Sequence, residues 1–277
     1  MTGLRVALFT LESALSAEAV TTFLRDHGKD VVLVGRSLPF RPGAGGALRQ
    51  GWRHLRRSGP RLLPYLWANY ALPQVLGQIR RLGGGSPGAL AALAAARGLP
   101  LADLADVHGL AAAAAIRRAR PDILVSFHFD QIFTAATLAL TPLGGINLHP
   151  SLLPRHRGPV PTIWALAEDP PAFGVTIHRL VPRIDAGAIL AQRAVALPPA
   201  ITASAAARAL HLAGVPLLAQ CLDALAAGRD IGRDTGRPVP PLPYCPFPPP
   251  PMLRALAGRG RRLVDMADWR AALATRI

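Results

Sequence analysis

Residues 4–34 read LRVALFTLESALSAEAVTTFLRDHGKDVVLV, and this stretch decides the fold. Leu4–Leu11 is an apolar run of the kind that forms a buried strand. Ser16 is a candidate N-cap for a helix that ends near Gly28, and Val31–Val34 is a second buried strand. A strand, a helix and another strand in succession are typical of parallel sheets covered by helices. The sequence therefore predicts an α/β fold with a doubly wound, mostly parallel sheet.

The strand and helix signals continue to alternate along the chain. The helices expected from these signals are 88–97, 110–120, 161–167 and 202–227, and the strands are 99–101, 123–129, 173–180 and 188–197. Thr202 is the candidate N-cap of the longest helix, and Gly228 is its candidate terminator. The turn at residues 10–14, TLESA, lacks the Gly-x-Gly-x-x-Gly pattern of dinucleotide-binding folds, so binding of a dinucleotide in the usual manner is disfavoured.

A polar pattern at the end of one predicted strand carries the chemistry. Residues 144–158 read GGINLHPSLLPRHRG. Asn147 and His149 alternate with apolar residues, so in a strand the amide and the imidazole share one face. Pro150 removes a ladder donor and ends the strand. Two such groups can converge on a carbonyl oxygen that acquires negative charge, and Asp185 is the candidate third member.

Four ordered motifs resemble the folate-dependent formyltransferases: NLHPSLLP at 147–154, Arg157-Gly158, GVTIH at 174–178 and DAGAI at 185–189. This family includes enzymes that act on glycinamide ribonucleotide, on methionyl-tRNA and on amino sugars. The resemblance is strongest from about residue 121 to residue 197. It implies a Rossmann-like α/β fold of the formyltransferase type, with a short C-terminal extension.

The resemblance also implies the members of the site. Asn147, His149 and Asp185 would be catalytic, with 10-formyltetrahydrofolate as the formyl donor and no metal. The donor-binding residues would be Phe129, Gln131, Ile132, Ser151, Leu152, Leu153, Pro154, Arg157 and Ile184. In this hypothesis Asn147 and a protonated His149 donate to the oxyanion, and Asp185 keeps His149 charged.

Two departures from the family pattern bear on donor and acceptor. Asp130 stands where family members often have a glycine before a Gln-Ile pair. The turn at 10–14 is neither the glycine-rich turn of the glycinamide ribonucleotide enzymes nor the Gly-Thr-Pro-like turn of the methionyl-tRNA enzymes. Neither of these two acceptors is therefore favoured.

Simpler interpretations of the same residues stay open. An Asn-x-His pair alone is more often a satisfied turn than a catalyst, but Asp185 and the ordered motifs favour catalysis. Ser151 and Arg157 fit either donor binding or the shaping of a turn. The remaining histidines of this region are expected to be structural or peripheral: His128, His156 and His178.

Composition places the chain among globular proteins. It has 277 residues, 51% of them hydrophobic, and a net charge of +15. Cys221 and Cys245 show no metal-ligand spacing, so neither a disulfide framework nor a zinc site is predicted. The chain opens directly on an apolar strand, and no apolar run approaches the roughly 20 residues that span a bilayer. We expect a cytoplasmic protein.

Basic charge is concentrated between residues 31 and 102, which contain ten arginines and no Asp or Glu. Arginines beside Trp and Tyr suit a phosphorylated or nucleotide-linked acceptor, or peripheral contact with an anionic membrane through residues 47–72. They are equally consistent with a solvated surface. Basic charge by itself is a weak indication of nucleic acid.

We expect residues 1–200 to form the catalytic domain, with an arginine-rich insertion at about 41–85. Residues 201–277 would supply a helix, a proline-rich strap at 238–251 and a basic tail. The leading functional prediction is an N-formyltransferase for a small amine such as an amino sugar. The alternatives are formylation of a macromolecular or lipid-linked amine, hydrolysis of the donor, and non-catalytic folate binding. No pattern specifies an oligomeric state.

Overall fold

The computed structural model describes residues 3–37, 46–84, 88–229, 231 and 242–276. Parts of two predicted segments lie outside these residues, namely 41–45 and 85 of the insertion and 238–241 of the strap.

One sheet of seven strands organises the described chain, in the order β3-β2-β1-β4-β5-β6-β7. Its strands are β1 Val6–Leu11, β2 Val31–Ser37, β3 Leu101–Leu104, β4 Ile123–Phe127, β5 Gly145–His149, β6 Gly174–Arg179 and β7 Ile189–Ala194. The pairs from β3 through β5 are parallel, and β5·β6 and β6·β7 are antiparallel. The predicted doubly wound, mostly parallel sheet is confirmed. The third strand lies later than the expected 99–101, because Val34 of β2 pairs with Leu101.

Helices cover both faces of this sheet. They are α1 Ala17–His27, α2 Gly46–Ser58, α3 Leu63–Leu66, α4 Leu72–Leu82, α5 Ala89–Ala96, α6 Leu110–Ala119, α7 Ala135–Leu138, α8 Pro161–Ala167, α9 Ala203–Ala226, α10 Pro250–Gly258 and α11 Met266–Ala274. Helices α1, α5 and α9 share one hydrophobic core with β4, β5 and β6, whereas α6 packs on the opposite face. A π-helical turn, Trp67–Ala71, joins α3 to α4.

Helix α1 begins where the sequence predicts, but Ser16 does not cap it. The Ser16 side chain makes no cap hydrogen bond and instead donates to the Leu11 carbonyl at 3.3 Å. Its hydroxyl also lies 2.9 Å from the His128 ring. A local N-cap signal was therefore overridden by a contact with a residue more than a hundred positions away.

Helix α9 fits the sequence prediction closely. Thr202 accepts a hydrogen bond from the Ala205 N–H at 3.0 Å, and Gly228 has a φ of 68° just beyond the helix end. Gly214 lets the helix lie against the sheet, since a Cβ there would meet Leu148 at 2.6 Å. The helix is long and apolar enough to cross a membrane, but 56% of the apolar window is buried inside the protein, as in a core helix.

The expected insertion and C-terminal segment pack together. Helix α11 contacts α4, and α10 contacts α2 and α8. Residues 242–249 of the strap form neither helix nor strand, and α10 already begins at Pro250, because proline is tolerated in the first turn of a helix. Helix α9, which follows the predicted domain boundary at residue 200, packs in the same core as the sheet. The boundary itself stays a prediction.

Candidate active site

The amide of Asn147 lies at the carboxyl end of β5, fixed from two sides. Ser126 of β4 donates to its Oδ1 at 2.8 Å, and its Nδ2 donates to His178 Nε2 of β6 at 3.0 Å. His178 Nδ1 in turn donates to the Arg179 carbonyl at 2.9 Å, which sets the tautomer. One of the two Nδ2 hydrogens of Asn147 is thereby committed and the other stays available.

Asp185 reaches the same place from a turn more than thirty residues later. Its φ is 45°, in the left-handed region, and Gly158 N–H donates to its Oδ2 at 2.9 Å. Arg157 holds the turn from behind, donating from Nε (3.1 Å) and Nη2 (2.5 Å) to the Ile184 carbonyl. Gly187 is required nearby, because a Cβ there would collide with the Arg179 carbonyl. The strained turn of Asp185 is therefore held by several independent contacts.

His149 is 4% exposed and lies between two acceptors. Its Nε2 donates to the His156 carbonyl at 3.2 Å, and its Nδ1 lies 3.7 Å from Asp185 Oδ1. The second distance is too long for a direct hydrogen bond. With Nε2 carrying the proton, the Nδ1 lone pair faces the carboxylate across this gap.

The electrostatic environment of His149 and Asp185 does not favour a permanently protonated imidazole. Burial lowers the pKa of His149 below its ordinary 6.5, and the Asp185 carboxylate offsets this only in part. Burial alone would raise the pKa of Asp185, but the neighbouring His149 and His178 rings and the Gly158 N–H outweigh it and bring that pKa to about 2. The free protein therefore presents a neutral His149 beside an ionised Asp185, which departs from the protonated His149 expected from the sequence.

All three candidate catalytic side chains face one cavity of about 270 Å³, near the lower end of small-molecule sites. Four of the nine expected donor-binding residues line it: Phe129, Gln131, Ile132 and Ile184. The Gln131 side chain also fixes its own loop. Its Nε2 donates to Ser37 Oγ at 3.0 Å, and its Oε1 accepts from Val107 N–H at 2.8 Å. The backbone of its loop is thus anchored to the sheet.

The other five expected donor-binding residues lie outside the cavity lining: Ser151, Leu152, Leu153, Pro154 and Arg157. The Ser151 side chain is committed to the turn after β5, and the Arg157 guanidinium to the Ile184 carbonyl. Ser151 Oγ lies 2.8 Å from His156 Nδ1, and its carbonyl accepts from Thr176 Oγ1 at 2.6 Å. Leu152 packs against Gly174, where a Cβ would meet its side chain. For Ser151, Leu152 and Arg157 the geometry supports the shaping of turns, and donor binding by the five residues stays a prediction.

Sequence reasoning missed several residues that the fold brings to the cavity. His178 orients Asn147, and His128 and His211 line the wall formed by the loop after β4 and by α9. The signal that could have found His178 is its alternation with the buried Thr176 on a strand next to β5. His211 lies in the middle of an apolar helix and gave no signal. Within the described residues no three His, Cys, Asp or Glu side chains are grouped to hold a metal ion, and the absence of a metal stays a prediction.

Comparisons with known proteins match the central part of the chain. The model of the formyl transferase family matches residues 99–222. Methionyl-tRNA formyltransferase of Roseiflexus castenholzii is 40% identical over 131 residues, which are 47% of this chain and 42% of that protein. The chain thus spans less than half the length of this curated relative.

Solved structures share the fold at low sequence identity. Phosphoribosylglycinamide formyltransferase from Anaplasma phagocytophilum superposes with a TM-score of 0.55 at 17% identity, covering 82% of this chain and 88% of that one. A sugar N-formyltransferase from a Shewanella species gives 0.50 at 18% identity, covering 87% and 76%. The family match and the ordered motifs from Asn147 to Ile189 show that residues 99–222 belong to the formyl transferase family, and the solved structures show that the chain shares its fold.

Proposed function

We propose that this protein is an N-formyltransferase that moves a formyl group from 10-formyltetrahydrofolate to a primary amine of a small acceptor. One observation carries the proposal: Asn147, His149 and Asp185 face a single cavity, with His149 Nδ1 3.7 Å from Asp185. A decayed site would have no reason to keep the network that orients them. We expect the enzyme to act in the cytoplasm.

The walls of the cavity suit the flat ring system of a folate donor. Phe129 stacks on Phe133 with ring centroids 5.3 Å apart, and Ile132 is 49% exposed beside them. Val181 and Ile184 line the cavity from the loop after β6. Apolar surfaces with backbone polar groups between them are the usual lining of a site for a planar heterocycle.

Asn147 supplies the donor for the oxyanion. When the acceptor nitrogen attacks the formyl carbon, the carbonyl oxygen becomes an alkoxide and needs a fixed hydrogen bond. Asn147 Nδ2 has one hydrogen committed to His178 and a second that is free to donate. Because Ser126 and His178 hold the amide, the donor does not have to reorganise as charge develops.

His149 and Asp185 handle the proton. The Nδ1 atom of neutral His149 is unprotonated and lies 3.7 Å from Asp185. It therefore takes the proton that the attacking amine loses as the new N–C bond forms. The imidazolium is then stabilised by the adjacent carboxylate. It returns the proton to the departing folate nitrogen as that N–C bond breaks, which leaves a formamide, tetrahydrofolate and the original neutral His149.

An amino sugar is the acceptor class that we favour. Enzymes for amino sugars belong to the family, and the chain has neither of the turns after β1 that characterise the other two acceptor classes. The cavity of about 270 Å³ is of a size for a small acceptor group beside the reacting end of the donor.

The test is the release of tetrahydrofolate from 10-formyltetrahydrofolate across a panel of amines. We expect amine-dependent release that falls by at least ~10²-fold in Asn147→Ala, His149→Ala and Asp185→Asn. His27→Ala, at the end of α1, is the matched control and should keep wild-type turnover. Release without an amine would indicate a donor hydrolase, and saturable folate binding without release would indicate a binding protein. Normal turnover of all three site variants would refute the assignment.

A second candidate is formylation of a macromolecular or lipid-linked amine, favoured by the surface of α2. Trp52 is 60% exposed there, next to the exposed Arg49, Arg56 and Arg57. Binding of tRNA or of anionic vesicles that weakens steeply with salt, and that is lost on replacing the three arginines with glutamine, would support this candidate. If neither tRNA nor anionic vesicles bind in a salt-dependent way, the small acceptor remains the proposal.

A further inference from the structure

The proline-rich strap supplies part of the wall of the cavity that holds the candidate catalytic residues. Tyr244 lines that cavity together with Asn147, His149 and Asp185. Its ring lies against Gly158, because a Cβ at Gly158 would be 3.2 Å from Tyr244 Cε2. The Gly158 N–H is the group that holds Asp185 Oδ2 at 2.9 Å. The Tyr244 ring therefore lies beside the backbone that fixes Asp185.

Three hydrogen bonds fix the strap against the active-site turn and against α8. The Cys245 N–H donates to the Arg157 carbonyl at 2.7 Å, and the Arg157 guanidinium donates to the Leu242 carbonyl at 3.4 Å. Trp164 Nε1 of α8 donates to the Pro246 carbonyl at 2.8 Å. Hydrogen bonds before and after the tyrosine thus keep its ring in the cavity wall.

Tyr244 borders both the solvent and the buried pair of His149 and Asp185. It is 45% exposed, whereas the side chains of His149 and Asp185 are only 5% and 13% exposed. Burial raises the pKa of Tyr244, and the Asp185 carboxylate adds to the rise, while the Arg57 guanidinium opposes it. The tyrosine ring is therefore close to Asp185 and has solvent on its other side.

Water competes with the amine for the formyl group in a site of this kind. In hydrolysis a water oxygen attacks the formyl carbon, and His149 takes one proton from that water. His149 then gives the proton to the departing folate nitrogen as the C–N bond breaks, which leaves formic acid and tetrahydrofolate. Since the same base serves both reactions, the product depends on how much water reaches His149 while the donor is bound.

We propose that Tyr244 is a specificity-determining residue that excludes water from the Asp185 side of the cavity and so favours the amine over water as formyl acceptor. The bulk of the aromatic ring performs this task, and the strap keeps the ring in place. The inference rests on the proposed formyl transfer and assigns to the strap the choice between transfer and hydrolysis.

The experiment measures formate and formylated amine in the same reaction with 10-formyltetrahydrofolate. The amine probe is whichever of glucosamine, galactosamine and mannosamine gives the most formylated product with the wild-type protein. In Tyr244→Ala we expect the ratio of formate to formylated amine to rise by about 10-fold, which corresponds to about 1.4 kcal/mol between the two barriers. Tyr244→Phe retains the ring and should retain the wild-type ratio. Leu273→Ala truncates a side chain of α11 that is 52% exposed and is the matched control.

A second variant reaches the strap from outside the cavity. Trp164 is not part of the cavity lining, and Trp164→Phe removes the N–H that the Pro246 carbonyl accepts. Because the strap is then held less firmly, we expect the ratio to rise by a smaller factor than in Tyr244→Ala. A fall in the ratio would contradict the assignment of this choice to the strap.

The outcomes separate a water barrier from other tasks of Tyr244. An unchanged ratio in Tyr244→Ala would overturn the barrier and leave formyl transfer intact. A raised KM for the amine at an unchanged ratio would also overturn it, since Tyr244 would then bind the acceptor. A merely structural tyrosine would lower the melting temperature and both rates without changing the ratio. Formate as the sole product of the wild-type protein, or no product at all, would overturn the proposed function and the barrier together.

Discussion

Replacing His211 by leucine should change how the stability of the protein depends on pH. The pKa of His211 is lowered from 6.5 to about 4 in the folded protein, because burial penalises the charged ring. In the unfolded chain the ring titrates near 6.5. The unfolded state therefore binds more protons between these values, so the free energy of unfolding falls as the pH is lowered through this window.

The size of the effect follows from the two pKa values. Each pKa unit is worth about 1.4 kcal/mol, so the full contribution is about 3 kcal/mol, reached only below pH 4. Between pH 7.5 and pH 5 the loss attributable to His211 is about 2 kcal/mol. His128 and His149 face His211 and add slopes of the same sign, since burial lowers their pKa values as well. The comparison with the variant isolates the part due to His211.

The assay is urea denaturation of wild type and His211→Leu at pH 7.5 and at pH 5. At pH 7.5 the two should agree within about 1 kcal/mol, because leucine is of similar size and is uncharged, like the neutral His211 ring. At pH 5 the variant should have become more stable relative to wild type by about 2 kcal/mol. A stability difference that is the same at both pH values would refute the reasoning, since it would mean that His211 titrates alike in both states.

Two further predictions concern the helix contact and the proton relay. Gly214→Ala should lower the free energy of unfolding by about 1–2 kcal/mol in urea titrations, because its Cβ would lie 2.6 Å from Leu148 and 2.8 Å from Val175; a more stable variant would contradict the close packing of α9. Asp185→Asn should move the acid limb of kcat/KM to lower pH as well as slowing turnover, because the carboxylate raises the pKa of His149; an acid limb that stays in place or moves to higher pH would show that Asp185 does not act on His149.

The sequence determined those features that depend on local backbone geometry. The apolar runs of β1 and β2 predicted the parallel sheet, because strand periodicity and burial are visible in neighbouring residues. Thr202 capped α9, and Gly228 lies just past its end. The alternation of Asn147 and His149 placed both on one face of a strand end, where the structure has them.

The tertiary structure decided the features that depend on distant partners and on desolvation. Ser16 contacts His128 instead of capping α1, and Arg157 donates to the Ile184 carbonyl instead of lining the cavity. The neutral state of His149 follows from burial, which no local pattern reports. The same holds for the lowered pKa of His211, which arises because α9 packs across the sheet and buries the ring. Periodicity depends on residues that are close in sequence, whereas burial and hydrogen-bond partners depend on contacts between residues far apart in the chain.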